Sequence, residues 1–179
     1  MVKINLGCGW RDFGKDWIHI DGGDYDHLDS RDIVNLPFKD NSVDLIYASH
    51  VIEYFDRVEI IEVLNKWKSK LKSGGTLRLA VPDFEAMAKL YIEKNIPLNN
   101  FLGPLYGKMK MGKDFIFHKT TYDFDSLKEL LNEVGFRNMD YYLWQETEHG
   151  IFDDHSQAYI PHMDKENGTL ISLNIEVKK

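Results

Sequence analysis

A single cysteine, Cys8, among 179 residues excludes an intramolecular disulfide and suits a reducing compartment. No apolar run approaches the ~20 residues of a membrane-spanning helix, and no leader pattern precedes the apolar segment that starts at Val2. A cytoplasmic address with no membrane partner is the expectation. Positive charge is also short: 22 Lys and Arg stand against 29 Asp and Glu, for a net charge of −7. Phosphate recognition needs a concentrated basic surface, so a nucleic-acid partner is not expected. Lys66, Lys68, Lys70 and Lys72 fall near a helix end, where solvated cations are favourable on their own account. Internal repeats, low-complexity tracts and linker-like stretches are missing as well. One domain over residues 1–179 follows, long enough to bury a core.

What is present is an alternation of short apolar runs with helical periodicity. Val2–Leu6, Trp17–Ile20 and Val43–Ala48 read as buried strands, Arg31–Val34 as a short one between them, and Thr76–Val81 as a fifth. Asp56 can cap a helix that carries Val58, Ile61, Leu64, Trp67 and Leu71, stopping at Ser73-Gly74-Gly75. Pro82-Asp83 opens a helix with Met87, Leu90 and Tyr91 on one face. Asp123 or Asp125 caps another, through Leu127, Leu130, Leu131 and Val134 to Gly135. Strands at Arg137–Trp144 and Leu170–Val177 complete the set. The expectation is an α/β, Rossmann-like, seven-stranded and mostly parallel sheet. Its C-terminal edge would be an antiparallel hairpin, and its N-terminal helices would be reduced. Residues 95–122 are too long for an ordinary connection, so they read as a lid or a mobile loop.

Strand Val2–Leu6 runs into Gly7-Cys8-Gly9. The first glycine permits a sharp turn, and the second lets a ligand approach the backbone where a Cβ would block it. Asp12 stands where the third glycine of a dinucleotide fingerprint would be, so the turn alone is equally a plain tight turn.

The ordered combination Ile4-Asn5-Leu6-Gly7-Cys8-Gly9, Ile18-His19-Ile20-Asp21, Leu36-Pro37-Phe38-Lys39-Asp40-Asn41-Ser42-Val43-Asp44, Tyr47-Ala48-Ser49-His50-Val51-Ile52-Glu53-Tyr54 and Gly74-Gly75-Thr76-Leu77-Arg78-Leu79-Ala80-Val81-Pro82-Asp83 resembles the class I S-adenosylmethionine-dependent methyltransferases. Phe117-His118-Lys119, Phe124-Asp125-Ser126-Leu127 and Ile171-Ser172-Leu173-Asn174-Ile175-Glu176 resemble their type 11 branch, found among bacterial polysaccharide and glycosylation genes. The resemblance covers nearly the whole chain. It implies S-adenosyl-L-methionine as cofactor, S-adenosyl-L-homocysteine as product, and methyl transfer to a small-molecule or saccharide-type acceptor at oxygen.

The resemblance also implies roles. Gly7, Cys8 and Gly9 would lie beside the methionine end of the cofactor, with Asn5 where many members carry an acid. Asp21 would accept the ribose hydroxyls, or else simply close the turn before Gly22-Gly23. Asp32, with Asn35 as substitute, would meet the adenine amino group, and Leu36 and Phe38 would wall it. Ser49 and His50 would face the sulfonium, though a packed His50 reads equally well. Cys8 reads as a small packed side chain rather than a nucleophile.

An oxygen acceptor calls for a general base. His118 is the first candidate and Asp83 the second; a structural His118 and a helix-capping Asp83 are the plain alternatives. Phe101–Phe117 could offer a stacking surface for carbohydrate or be a loop packed on the core. Glu146, Glu148, His149, Asp153, Asp154, His155 and His162 match no compact metal motif, so no metal is expected and a solvated acidic loop is the preferred interpretation. Asn5 and the short Trp10–Lys15 segment leave room for a degenerate cofactor-binding module acting through a partner. A nicotinamide oxidoreductase fits less well, lacking the fuller glycine fingerprint.

Overall fold

The computed structural model describes residues 1–179. Its strands are β1 (Lys3–Leu6), β2 (Ile18–Ile20), β3 (Val43–Ser49), β4 (Leu71–Pro82), β5 (Met109–Met111), β6 (Asp114–Ile116), β7 (Arg137–Tyr141), β8 (Tyr159–Ile160), β9 (Thr169–Leu170) and β10 (Ser172–Lys178). The α-helices are α1 (Glu59–Lys70), α2 (Phe84–Glu93), α3 (Leu102–Tyr106) and α4 (Phe124–Val134). The central sheet has the order β2-β1-β3-β4-β10-β7. Strands β2, β1, β3 and β4 run parallel, and β10 lies antiparallel to both β4 and β7.

The sheet therefore has six strands, not the expected seven. Residues 31–34 form no strand; only an Ile20–Ser30 bridge extends that edge. Asp32 is the reason, because its carboxylate accepts from the Val34 and Asn35 N–H groups at 2.9 and 2.7 Å and closes a turn there. The C-terminal edge is antiparallel as expected, with β7 and β10 joined by a long excursion that contains no α-helix. Strand β4 starts at Leu71, earlier than the sequence suggests, because Leu71 pairs with Val43 across an irregular register.

Alternation along the strands divides the molecule. Ile4, Ile46, Leu77 and Val177 stand in register on one face, with Leu6, Ala48 and Leu79 beside them. Trp67 and Leu64 of α1 and Leu127 and Leu131 of α4 bury their apolar stripes in that same core. Asp56 accepts from the Val58 and Glu59 N–H groups ahead of α1, and Asp123 forms a reciprocal capping box with Ser126 at α4. Gly135 ends α4 in a left-handed conformation.

The opposite face carries Asn5 and Tyr47, in register with His19 and Arg78. No helix joins β1 to β2. Residues 142–158 cover this face instead: His149 is fully buried, lies 4.0 Å from the Tyr47 ring and stacks on Phe13 at 5.6 Å, with Trp17 edge-on. The Tyr47 hydroxyl donates to Asp154 at 2.6 Å, and Asp154 also caps the turn at His155–Gln157. The expected solvated acidic loop is thus partly core. Its His and acidic side chains do not converge on a metal-binding arrangement. No helix is long and apolar enough to cross a membrane.

Candidate functional site

The parallel strands β1, β2, β3 and β4 all end at one edge of the sheet. The chain leaves β1 toward β2 on one side, while β3 pairs with β1 on the other. A crevice outside the carboxyl ends at such a reversal is where open α/β sheets bind ligands. Gly7, Cys8 and Gly9 follow β1, Asp21 follows β2, Ser49 ends β3 and His50 follows it, and Asp83 follows β4, so the topology gathers most of the expected residues at this edge.

Gly7 and Gly9 both have left-handed backbone, with φ of 69° and 58°. They differ in their surroundings. A Cβ on Gly7 would stand 2.2 Å from Val51 Cγ2, so this glycine is demanded by packing within the protein. A Cβ on Gly9 would meet only the Arg11 Nη1 atom at 3.9 Å, so this side of the turn is open. The Asp21 carboxylate pins the turn. One oxygen accepts from the Gly9 N–H at 2.8 Å and the other from the Gly23 N–H at 2.6 Å. Each oxygen keeps a further lone pair, which could accept from a ribose hydroxyl.

Unpartnered polar atoms cluster near the same edge. Asn5 Nδ2, Ser49 Oγ and His50 Nε2 are buried and make no hydrogen bond. Buried polar atoms are usually paired, so these three are suited to a polar ligand. The open flank of Gly9, the spare lone pairs of Asp21 and these orphaned groups fit S-adenosylmethionine. Cys8 is packed, with Sγ 3.7 Å from His27 Nε2. Burial and the nearby Asp21 push its thiol up to about 12, which leaves no thiolate nucleophile near neutral pH.

Other expected residues lie apart from this arrangement. Asp32 is exposed and spends its carboxylate on the turn described above, where those hydrogen bonds hold its carboxyl below the usual range. Leu36 is buried in the main core, and Phe38 packs at its margin. Asp83 accepts from the Ala86 N–H at 3.1 Å as the N-cap of α2, and burial raises its carboxyl. It borders a groove along α2 with Glu85, Lys89, Glu93 and Thr169.

Residues 95–122 are ordered into α3 and the β5–β6 hairpin. The Met111 side chain reaches within 3.4 Å of where a Cβ of Gly22 would stand, so the hairpin tip lies against the turn after β2. Phe115 and Phe117 are exposed on it, which leaves apolar surface for stacking. His118 follows the hairpin. Its ring packs over Gly107, its Nδ1 lies 2.8 Å from the Pro104 carbonyl, and its Nε2 lies 3.8 Å from Glu53 Oε1. Burial lowers the His118 pKa, favouring the neutral ring that a base requires.

Glu53 and Tyr122 are buried residues at this site to which sequence reasoning assigned no role. The visible signal for Glu53 was a carboxylate set inside the apolar run Val51-Ile52-Glu53-Tyr54-Phe55.

Comparison with known proteins bears on the fold. Residues 20–79, from the end of β2 into β4, match the family model described as a methyltransferase domain. Demethylmenaquinone methyltransferase of Staphylococcus haemolyticus is 30% identical over 122 residues, covering 63% of this chain and 48% of that protein. The enzyme of the same name from Staphylococcus saprophyticus is 29% identical over 118 residues, covering 60% and 48%. The chain thus spans about half the length of the curated relatives it matches. Among solved structures, an S-adenosylmethionine-dependent methyltransferase from Archaeoglobus fulgidus superimposes with a TM-score of 0.60 at 18% identity, covering 99% of this chain and 85% of that one. The 1,6-didemethyltoxoflavin-N1-methyltransferase of Burkholderia thailandensis, solved with S-adenosylhomocysteine, gives 0.56 at 10% identity, covering 99% and 70%. The fold is that of the S-adenosylmethionine-dependent methyltransferases.

Proposed function

We propose that this chain is an S-adenosylmethionine-dependent methyltransferase acting on a small-molecule acceptor at oxygen. The observation that carries it is the Gly7–Gly9 turn, open beside Gly9 and pinned by the Asp21 carboxylate at the carboxyl edge of the parallel strands. Bound there, the sulfonium cofactor supplies an already electrophilic methyl group. The protein's work is then to orient the acceptor, exclude water and receive a proton. Gly7, Cys8, Gly9 and Asp21 hold the cofactor, with Asn5, Ser49 and His50 offering polar contacts. The hairpin covers the ribose side, and His118 serves as the general base.

Two acceptor classes follow from different observations. The Phe117-His118-Lys119 resemblance and the exposed Phe115 and Phe117 favour a saccharide, which stacks its apolar faces on aromatic rings. The curated relatives act on demethylmenaquinone by name, which favours an aromatic quinol. Calorimetric titration with S-adenosylmethionine and S-adenosylhomocysteine tests the cofactor site. Binding by the wild type and its loss in Asp21→Ala are expected, and no binding of either at millimolar concentration would reject the function. Turnover assays with nucleotide sugars and a short-chain naphthoquinol then separate the acceptors. Cofactor binding without turnover on any acceptor would favour a degenerate binding module.

A further inference from the structure

Glu53 sits in a short 3-10 turn after β3 and is fully buried. Neither carboxyl oxygen has a hydrogen-bond partner. A bare carboxylate in such surroundings is costly, and burial pushes its pKa up to about 8. Groups from several elements face it. His50 brings Nδ1 to 3.3 Å from Glu53 Oε1, with its own backbone held left-handed at φ 54°. Residues with a side chain rarely adopt this conformation, and those that do cluster at functional sites. From the segment after β6 come His118 Nε2, 3.8 Å from the same oxygen, and Tyr122, whose hydroxyl has no hydrogen-bond partner and lies within electrostatic reach of Glu53. Tyr54 lies edge-on to His118, and His155 lies 4.9 Å from the His50 ring. Arg11, in the loop after β1, adds positive potential at His50 and His155. The Glu53 carbonyl accepts from the Lys119 and Thr120 N–H groups at 2.8 and 3.2 Å, tying the His118 segment to this turn.

The Pro104 carbonyl can only accept, so the proton of neutral His118 sits on Nδ1. Its unprotonated Nε2 lies 3.8 Å from Glu53 Oε1, beyond hydrogen-bond reach but near enough for the charge of the carboxyl to act on it. A negative charge on Glu53 favours a proton on either neighbouring ring, so ionisation of Glu53 acts on both His118 and His50.

We propose that Glu53 is a positioning residue for methyl transfer: set beside His118 and His50 and once ionised, it strengthens His118 Nε2 as acceptor of the substrate's proton. This role rests on the methyltransferase function proposed above. In the step, the acceptor oxygen forms its bond to the methyl carbon as the carbon–sulfur bond breaks with its electron pair left on sulfur. The acceptor's proton passes to His118 Nε2, and the imidazolium is stabilised by the Glu53 carboxylate until solvent removes the proton.

The test follows the histidine ring nitrogens of the free protein by nitrogen-15 NMR from about pH 6 to about pH 9, a range that brackets the ordinary histidine value and the raised carboxyl. A common titration step near pH 8 is expected at His50 and His118. It should vanish in the isosteric Glu53→Gln and persist, shifted, in Glu53→Asp. A step unchanged in Glu53→Gln overturns the proposal. In turnover, wild-type kcat should rise through that pH, whereas Glu53→Gln should show a flat profile and a kcat at least ~10-fold lower with KM little changed, the range of one general-base contribution. Calorimetry separates the two failures. Wild-type protein that does not bind S-adenosylmethionine rejects the methyltransferase function and this role with it. Binding that is intact beside an unmoved histidine titration rejects the role of Glu53 alone.

Discussion

Gly7 and Gly9 share a backbone conformation but answer to different neighbours, and substitution should separate them. Alanine at either position carries about 1–2 kcal/mol for a left-handed residue with a Cβ. At Gly7 the overlap with Val51 adds an overpacking cost of about 1–3 kcal/mol. Gly7→Ala is therefore expected to lower Tm by roughly 5–15 °C, at about 2–4 °C per kcal/mol for a chain of this size. Gly9→Ala should lower Tm by only about 2–8 °C, the backbone cost alone, yet weaken S-adenosylmethionine binding at least tenfold by calorimetry, since its Cβ points into the open flank. Wild-type affinity in Gly9→Ala would mean that no ligand approaches there. The turn itself was legible from Gly-x-Gly after an apolar run. That Asp21 would pin it through Gly9 and Gly23 was not, because the bond joins two loops and local periodicity carries no such information. Asp32 shows the converse. An acid at a suggestive spacing was claimed by its own turn, a local competition that Asx chemistry commonly wins.

At the scale of elements, Asp83 has a structural task whatever else it does. Asn caps helices about as well as Asp, so Asp83→Asn should keep the stability of α2, whereas Asp83→Ala should cost about 1 kcal/mol. If Asp83→Asn also keeps turnover, Asp83 is a cap; a drop of two orders of magnitude with unchanged Tm would make it catalytic. The segment 142–158 stands where a first helix would cover the sheet, and its acidic composition concealed this. His149 is its buried anchor, with both ring nitrogens unpartnered, and burial lowers its pKa to about 3. The folded state therefore refuses a proton that the unfolded chain accepts below about 6.5. The contribution of neutral His149 is complete above about pH 6.5 and is lost as pH falls toward about 3. His149→Phe should consequently move the acid-unfolding midpoint to lower pH, as followed by circular dichroism. An unmoved or higher midpoint would mean that the neutral ring is not what fails in acid. Strands and capped helices were readable because period and cap are local. The aromatic layer of Phe13, Tyr47 and His149 was not, because it assembles residues from three distant parts of the chain.

Across the whole molecule, the hairpin at residues 109–116 and the crevice at the carboxyl edge meet through Met111 and Gly22. Cofactor binding should therefore slow amide hydrogen exchange in residues 108–116 along with residues 7–9 and 21–23. Protection confined to the two turns would show that the hairpin is no lid. Strand β10 pairs along its whole length with β4 on one side and, from Ile175 to Lys178, with β7 on the other. During synthesis β4 and β7 emerge first and must wait, unjoined, until residues 172–178 leave the ribosome. Until then the apolar edge of β4 is open to any passing strand, and early folding is confined to the parallel half, which already holds Gly7, Asp21 and Glu53. The nascent chain should thus assemble the half that carries the Gly7–Gly9 turn before it acquires the strand that joins β4 to β7.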